Sequence, residues 1–315
     1  MAAYEHKWIA NFWIRIGALL IDSLLLAIIG IVLSFFLKDA FIQLGFLGRI
    51  VGFAIALIYF AVLNSRIAGG QTLGKKVLHL RVVDEGNEPI SFVKSLSRYL
   101  VLGVPVFLSG MRLPDFVSSS WLAYPLALIV IGGSLSSVYL YVFNRRTRQT
   151  LHDLMTGTYV VYVDVDKPEV RPVWQAHLAF VCFLFIFSIM FPFTAKRIAP
   201  LKGYESLLDV QSSLVARPGI SAAIVSVGVN TIHRTHEEPE KVSYVIAQVF
   251  LDQDRLMEAA LAENLAQTIV DLYPEAAGKD TLRIVLVYGF DIGIWSHWLK
   301  QAYDFNPAHF VADEL

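Results

Sequence analysis

Long apolar runs with almost no charge recur along the first two thirds of the chain. A run of about 20 such residues is long enough to cross the roughly 30 Å hydrocarbon layer of a bilayer as a helix. One further apolar segment is short and contains a proline, so it is either a short crossing or a re-entrant segment. The pattern predicts helical spans at Ile16–Leu37, Phe41–Leu63, Ser120–Phe143 and Val173–Phe193, with Tyr99–Met111 as the short fifth segment.

Two stretches in the polar segments between these runs are typical of β-strands. Val77–Val83 is rich in β-branched residues and leads into the turn-forming residues Asp84–Asn87, and Gly157–Val163 has a similar composition. An isolated strand leaves backbone groups without partners, so the two strands are expected to pair if their loops lie on the same side of the membrane.

Beyond residue 200 the long apolar runs end and shorter, soluble-type elements follow. The pattern predicts an amphipathic helix at Asp254–Tyr273, which Pro274 ends. Strands are predicted near Ala222–Ile232 and at Val242–Leu251 and Leu282–Tyr288.

The predicted fold is therefore an α-helical multi-pass membrane bundle of about five transmembrane segments with a small cytoplasmic β-hairpin-like element and a C-terminal soluble α+β domain. We divide it into a transmembrane domain at 1–165, an additional transmembrane helix with linkers at 166–200, and the soluble domain at 201–315.

Basic residues set the predicted orientation. Lysine and arginine crowd Asn64–Arg98 and Asn144–Arg171, and the positive-inside rule places both loops in the cytoplasm. Five crossings then leave the N-terminus cytoplasmic and the C-terminal domain outside a bacterial inner membrane. Lys196, Arg197 and Lys202 just after the last span favour the opposite side for that domain.

The composition narrows the function classes. Hydrophobic residues make up 56% of the chain and charged residues 17%, against roughly a quarter charged in soluble domains, which favours contact with a lipid bilayer. The net charge of -1 argues against nucleic-acid binding. The soluble part has no nucleophile elbow, zinc signature or usefully spaced acid pair, so neither an enzyme nor a bound cofactor or metal is predicted.

Arg15 and Asp22 are candidate site residues in the first span. They are seven positions apart, which is two helical turns, so both project from one face about 10 Å apart along the axis. An acid inside a membrane helix is costly and usually faces a partner or an aqueous cavity. We expect a cation as the partner of Asp22; an equal alternative is a purely structural role, in which Arg15 anchors the helix at the headgroups and Asp22 pairs with a buried donor.

Three motifs follow in order: Gly69–Lys76, Leu80–Asp84 and Gln149–Thr158. With Arg15 and Asp22, and with Ser97–Leu100, they resemble the RDD family of bacterial membrane proteins over about residues 11–163. That family is named for an arginine and two aspartates. In this resemblance, Arg15, Asp22 and Asp153 stand at the positions of those three residues. The resemblance implies transport as a suggested role and does not reach the C-terminal domain.

The first motif supplies candidate loop residues. Its glycines permit positive φ and close backbone approach, and its lysines suit an anionic membrane leaflet. The pattern differs from a phosphate-binding loop because Lys75 is followed by Lys76 and not by serine or threonine, and because a membrane helix, not a strand, precedes it. The residues singled out are Gly70, Gln71, Thr72, Gly74 and Lys75.

Other polar residues have two interpretations each. His152 beside Asp153 is typical of a proton relay, but an aspartate that caps a helix or turn is the commoner arrangement. A metal site at His233, His236, Glu237 and Glu238 is disfavoured because the spacing is not that of helical zinc ligands. Trp295 and Trp298 belong either to an exposed aromatic face or, more commonly, to the domain core.

Two functions remain open. In the first, Arg15, Asp22 and Asp153 form a polar membrane site that binds a proton, another ion or a small solute for transport. Five helices are few for a carrier, so this hypothesis implies a homo-oligomer. In the second, the helices anchor the C-terminal domain, which binds a protein partner, senses a signal or serves in assembly.

Overall fold

The computed structural model describes residues 8–111, 117, 120–163, 165, 172–198, 204–232 and 240–311. The chain forms two compact units. The first, the membrane unit, comprises Met1–Lys38, Phe46–Ala195 and Asp291–Trp295, and the second, the C-terminal unit, comprises Asp39–Gly45, Lys196–Phe290 and Ser296–Leu315. The finer predicted boundaries at residues 165 and 200 stay a prediction.

Three helical regions in the described residues are long and apolar enough to cross a membrane: Phe12–Leu63, Ala123–Phe143 and Gln175–Thr194. The first contains both of the first two predicted spans. It consists of α1 at Phe12–Leu44, a 3₁₀ turn and α2 at Arg49–Leu63. The α1 helix kinks at Leu37, whose φ of −123° and ψ of 16° are not helical, so a break lies at the predicted end of the first span, and a second helical piece continues from there to Leu44.

The short predicted segment Tyr99–Met111 is part of a longer helix, α4, at Phe92–Leu108. The Ser91 side chain accepts a hydrogen bond from the Lys94 backbone N–H at 3.2 Å and so caps its first turn. The α4 helix contains Pro105 and is not one of the three long apolar regions. Five crossings therefore stay a prediction.

The later helices of the membrane unit complete this part of the fold. The second long apolar region, α5 at Ala123–Phe143, includes a π-helical segment at Leu128–Gly132. A short helix, α6, follows at Leu151–Thr156. The third region consists of α7 at Gln175–Ser188 and the start of α8 at Met190–Ile198.

The predicted pairing of the two short strands is confirmed. Strand β1 at Leu80–Asp84 pairs antiparallel with β2 at Thr158–Tyr162, and Val82 lies opposite Val160. The predicted start of the first strand at Val77 was wrong, because that residue ends a short helix, α3, at Leu73–Val77. Buried Leu80, Val82 and Val160 pack with Ala18 of α1, which fixes this small sheet beside the helix.

The C-terminal unit contains one four-stranded sheet in the order β3-β4-β5-β6. Strand β4 pairs antiparallel with β3 and parallel with β5, and a helix connects β4 to β5. The predicted helix start at Asp254 was five residues early, and α9 and β6 were not predicted. The elements are α9 Tyr204–Val215, β3 Ile220–Ile232, β4 Glu240–Leu251, α10 Ala259–Leu272, β5 Thr281–Asp291 and β6 Ser296–Phe305.

The core of the C-terminal unit lies between the sheet and the two helices α9 and α10. Alternate residues of the two central strands are fully buried, as the two-residue period of a strand requires. Phe290 also belongs to this core, whereas Trp298 is only partly buried and packs edge-to-face on Phe250 at 5.6 Å between ring centres. The fully buried side chains include Val245, Ala247, Val249, Leu282, Ile284, Leu286, Leu265 and Ile269.

Candidate functional site

Asp22 is buried on α1 and accepts hydrogen bonds from two other segments. The Tyr59 hydroxyl of α2 donates to its Oδ1 at 2.7 Å. The Thr72 hydroxyl donates to Oδ2 at 2.6 Å, and the Gly74 backbone N–H donates to Oδ1 at 2.7 Å. These direct partners are neutral donors, so the expected contact with a cation was wrong and the alternative of a neutral donor is confirmed. Asp22 links α1 to α2 and to the start of α3.

The predicted loop motif forms the bend that brings Thr72 and Gly74 to Asp22. Gly70 has a φ of +76°, and a Cβ atom there would stand 2.5 Å from the Val82 carbonyl oxygen. The Val82 backbone N–H donates to the Gly70 carbonyl at 2.8 Å, and the Gln71 amide donates to the Leu80 carbonyl at 2.8 Å. The bend is therefore fixed to β1 on one side and to α1 on the other.

Lys75 lies one position beyond the glycine that bonds Asp22. Its Nζ donates to Asn64 Oδ1 at 2.8 Å, and Thr72 Oγ1 is 3.4 Å away. Burial, together with the nearby Arg98 guanidinium, lowers the pKa of Lys75 to about 7, while Asp22 acts in the opposite direction. The charge of this side chain therefore changes near neutral pH.

Asp153 is fully buried at the start of α6, where it completes a capping box with Thr150. Arg15 Nη2 donates to its Oδ2 at 2.8 Å, and Arg98 Nη2 donates to its Oδ1 at 2.6 Å. The Thr158 hydroxyl also donates to Oδ1, at 3.1 Å. Burial alone would raise the pKa of this carboxyl, but the two arginines hold it well below its usual range.

This cluster ties α1, α4 and α6 together around one carboxylate. Arg15 also donates to the Arg148 carbonyl, and its guanidinium lies 5.2 Å from the centre of the Tyr141 ring. Arg98 was singled out from the sequence only within a family-like segment. Its ion pair was not predicted, because 55 positions separate it from Asp153. The capping pattern Thr150-x-x-Asp153 was the available signal for the local part of the arrangement.

His152 lies within the same buried cluster. Its ring is 3.0 Å from Thr150 Oγ1, and its Nε2 is 3.7 Å from Asp153 Oδ1. Burial lowers the pKa of His152 to about 3, and the opposing effect of Asp153 does not compensate. The imidazole is therefore neutral near pH 7, and it is not the group in this cluster whose charge changes there.

A cavity of about 370 Å³ in the membrane unit connects the surroundings of Asp22 with the arginine pair. This volume falls within the roughly 300–1,000 Å³ typical of small-molecule sites. Its lining is mainly apolar, with side chains from α1, α4 and α5. The ionisable side chains that line it, apart from the tyrosines, are Arg15, Asp22, Lys75, Arg98 and His152, and Asp153 lies behind them.

The residues weighed and disfavoured as a metal site, His233, His236, Glu237 and Glu238, lie outside the described residues. Within the ranges that the structure describes, no group of three or more histidine, cysteine, aspartate or glutamate side chains is arranged to hold a metal ion.

Comparisons with known proteins agree with the N-terminal motifs. Residues 9–157 match the model of the RDD family. The uncharacterized protein YckC of Bacillus subtilis is 24% identical over 164 residues, covering 51% of this chain and 90% of that protein. The uncharacterized protein YxaI of the same organism is 28% identical over 130 residues, covering 34% of this chain and 85% of that protein. No solved structure matches the chain.

Proposed function

Because residues 9–157 match the model of the RDD family, we propose that this chain is a member of that family and a transport protein that moves an ion or small solute through the cavity beside α1. The cavity itself carries the proposal. Charged side chains of both signs line one space with mainly apolar walls: the acidic Asp22 and the basic Arg15, Lys75 and Arg98. Ionisable residues among membrane helices commonly mark ion or substrate pathways.

The polar residues have two different roles in this proposal. Asp153 has a structural role: its oxygens accept hydrogen bonds from Arg15, Arg98 and Thr158, and these bonds hold α1, α4 and α6 together. The oxygens of Asp22 are also hydrogen-bonded, but only to neutral donors, so its negative charge is left for Lys75 or a solute cation to balance. When Lys75 is protonated it balances the charge of Asp22, and when it loses its proton the carboxylate attracts a cation from the cavity. A proton and a solute cation would thereby alternate in one space.

The transport proposal includes the arrangement predicted from the sequence. The protein crosses a bacterial inner membrane five times, α4 supplies the short crossing, and the N-terminus is cytoplasmic with the C-terminal unit outside. Five helices enclose little aqueous space, so the working form is a homo-oligomer. An impermeant reagent added to sealed cells is expected to label a tag at Val311 and to label a tag at Gly86 only after the cells are opened. Labelling of both tags, or of neither, in sealed cells contradicts this orientation.

Transport is tested in vesicles that contain the purified chain and a trapped pH-sensitive dye. Pulses of Na⁺, K⁺ or Li⁺ are expected to move protons in the wild type and to have at least tenfold less effect in Asp22→Asn. Asp39→Asn is the matched control, because it removes an exposed carboxylate from the same helix. Wild-type flux in Asp22→Asn excludes Asp22 as a coupling residue, and equal loss in Asp39→Asn points to a nonspecific effect.

One observation favours a second function, a membrane-anchored binding or sensing protein. The C-terminal unit has its own sheet and its own fully buried core. The fragment Tyr204–Leu315 is expected to fold alone and to retain a protein partner that the full chain captures. A fragment that is insoluble or shows no cooperative unfolding removes the basis for this function.

A further inference from the structure

A second cavity of the membrane unit, of about 390 Å³, lies where α1 begins and α5 ends. Three arginines line it, Arg15, Arg145 and Arg148, together with the amides Asn11 and Asn144. Among the described residues that line this space there is no aspartate or glutamate. The charged side chains of the lining are therefore all positive, although Asp153, which does not line the cavity, offsets the charge of Arg15.

The turn after α5 holds this arginine group in place. The Asn144 side chain donates to Thr147 Oγ1 at 2.8 Å and to the Gln149 carbonyl at 2.9 Å, which stabilises the turn. Arg148 donates to Asn11 Oδ1 at 3.0 Å and is fixed against the start of α1. Arg145 is exposed at the cavity. The site thus has two positioned guanidinium groups and a third that is accessible.

The surroundings of this cavity are those of a membrane interface. Trp13, 73% exposed, and Tyr141 line it, and such amphipathic rings favour the headgroup level. An apolar flank continues from it along both helices, at helical spacing on each. The exposed side chains of the flank are Leu20 and Leu24 on α1 and Leu135, Val138 and Val142 on α5.

We propose that this cavity binds the headgroup of an anionic phospholipid whose acyl chains lie along the apolar flank. Arginine binds phosphate oxygens through paired, charge-assisted hydrogen bonds, and basic pockets between membrane helices suit anionic headgroups. A soluble phosphate would use the arginines but would leave the flank without a role. A zwitterionic lipid would use the flank but would bring a cation to a cationic cavity. The site shares Arg15 with the cavity beside α1, but lipid binding does not depend on transport.

The test uses the full-length chain, delipidated in a nonionic detergent, and counts bound lipids by native mass spectrometry. Phosphatidylglycerol is expected to bind at one saturable site at least fivefold more tightly than phosphatidylcholine of the same chains. Arg145→Gln is expected to weaken phosphatidylglycerol binding by about fivefold, because one basic contact is lost. Arg146→Gln is the matched control: it removes the same charge from an exposed neighbour that does not line the cavity.

Three outcomes of these measurements overturn the proposal. Equal weakening by Arg145→Gln and Arg146→Gln shows diffuse attraction to a basic surface. Equal binding of phosphatidylcholine shows that the arginines do not select the headgroup. Competition by glycerol phosphate at the same concentration as the lipid shows a site for soluble phosphate compounds. Neither Arg145 nor Arg146 belongs to the transport cavity, so unchanged ion flux in both variants keeps this test separate from that of the proposed function.

Discussion

Gly74 lies directly against the backbone of Ala18, and a Cβ atom on Gly74 would overlap the Ala18 carbonyl oxygen. This close approach brings the Gly74 N–H to Asp22 and sets the position of Lys75. A glycine is therefore needed at position 74 because α1 leaves no space for a side chain, and not because a phosphate binds there.

Replacing Gly74 with alanine is expected to destabilise the membrane unit by roughly 3 kcal/mol, because the methyl group separates α3 from α1 and breaks the bond to Asp22. Gly69→Ala is the control in the same bend: its Cβ meets nothing within 4 Å, and only the φ of +67° costs energy, about 1 kcal/mol. Urea unfolding in mild detergent measures both. Equal losses in the two variants contradict the close approach.

Removing the charge of Asp153 is expected to be more damaging than removing a surface ion pair. Asp153→Asn leaves two buried arginines without their carboxylate, a change that costs about 3–5 kcal/mol in other buried ion pairs. Asp304→Asn also breaks an ion pair, with Arg283, but both side chains are about half exposed and the loss is expected to stay below about 1 kcal/mol. Thermal unfolding of the purified variants compares the two losses of stability. A loss in Asp153→Asn as small as that in Asp304→Asn contradicts the structural role of Asp153.

Lys75 gives a pH dependence of stability with a definite sign. Its pKa is about 7 in the folded protein and 10.5 in a model peptide, so between these values the unfolded chain binds a proton that the folded chain does not. The free energy of unfolding is therefore expected to rise with pH from about 7 to 10. Lys75→Met should remove this rise, whereas Lys76→Met, at the exposed neighbour, should keep it. A fall in stability over this range in the wild type contradicts the assignment.

Local patterns predicted much of the fold. The apolar runs around Ile50 and Val138 identified membrane helices because length and lack of charge are local properties. Val77 was assigned to a strand from its β-branched neighbours, but Thr72 caps a helix there: its side chain accepts from the Lys75 N–H. The serine/threonine cap signal was present in the sequence and outweighed strand propensity.

The candidate site was less predictable because its contacts join distant segments. Asp22 meets Tyr59 and Thr72, which are 37 and 50 positions away. No periodicity indicates such partners, and the spacing of Arg15 and Asp22 on one helix face suggested a mutual network instead. Asp22 and Asp153 belong to different hydrogen-bonded clusters, and Arg15 donates to Asp153.

The most direct test of the transport account fills the cavity without changing its charges. Leu102 of α4 lines the cavity, whereas Leu100 on the same helix is exposed and does not. Leu102→Trp is expected to abolish cation-driven proton movement in vesicles while the protein unfolds at an unchanged temperature, and Leu100→Trp is expected to transport like the wild type. Wild-type flux through a stably folded Leu102→Trp protein would contradict the claim that solutes pass through this space.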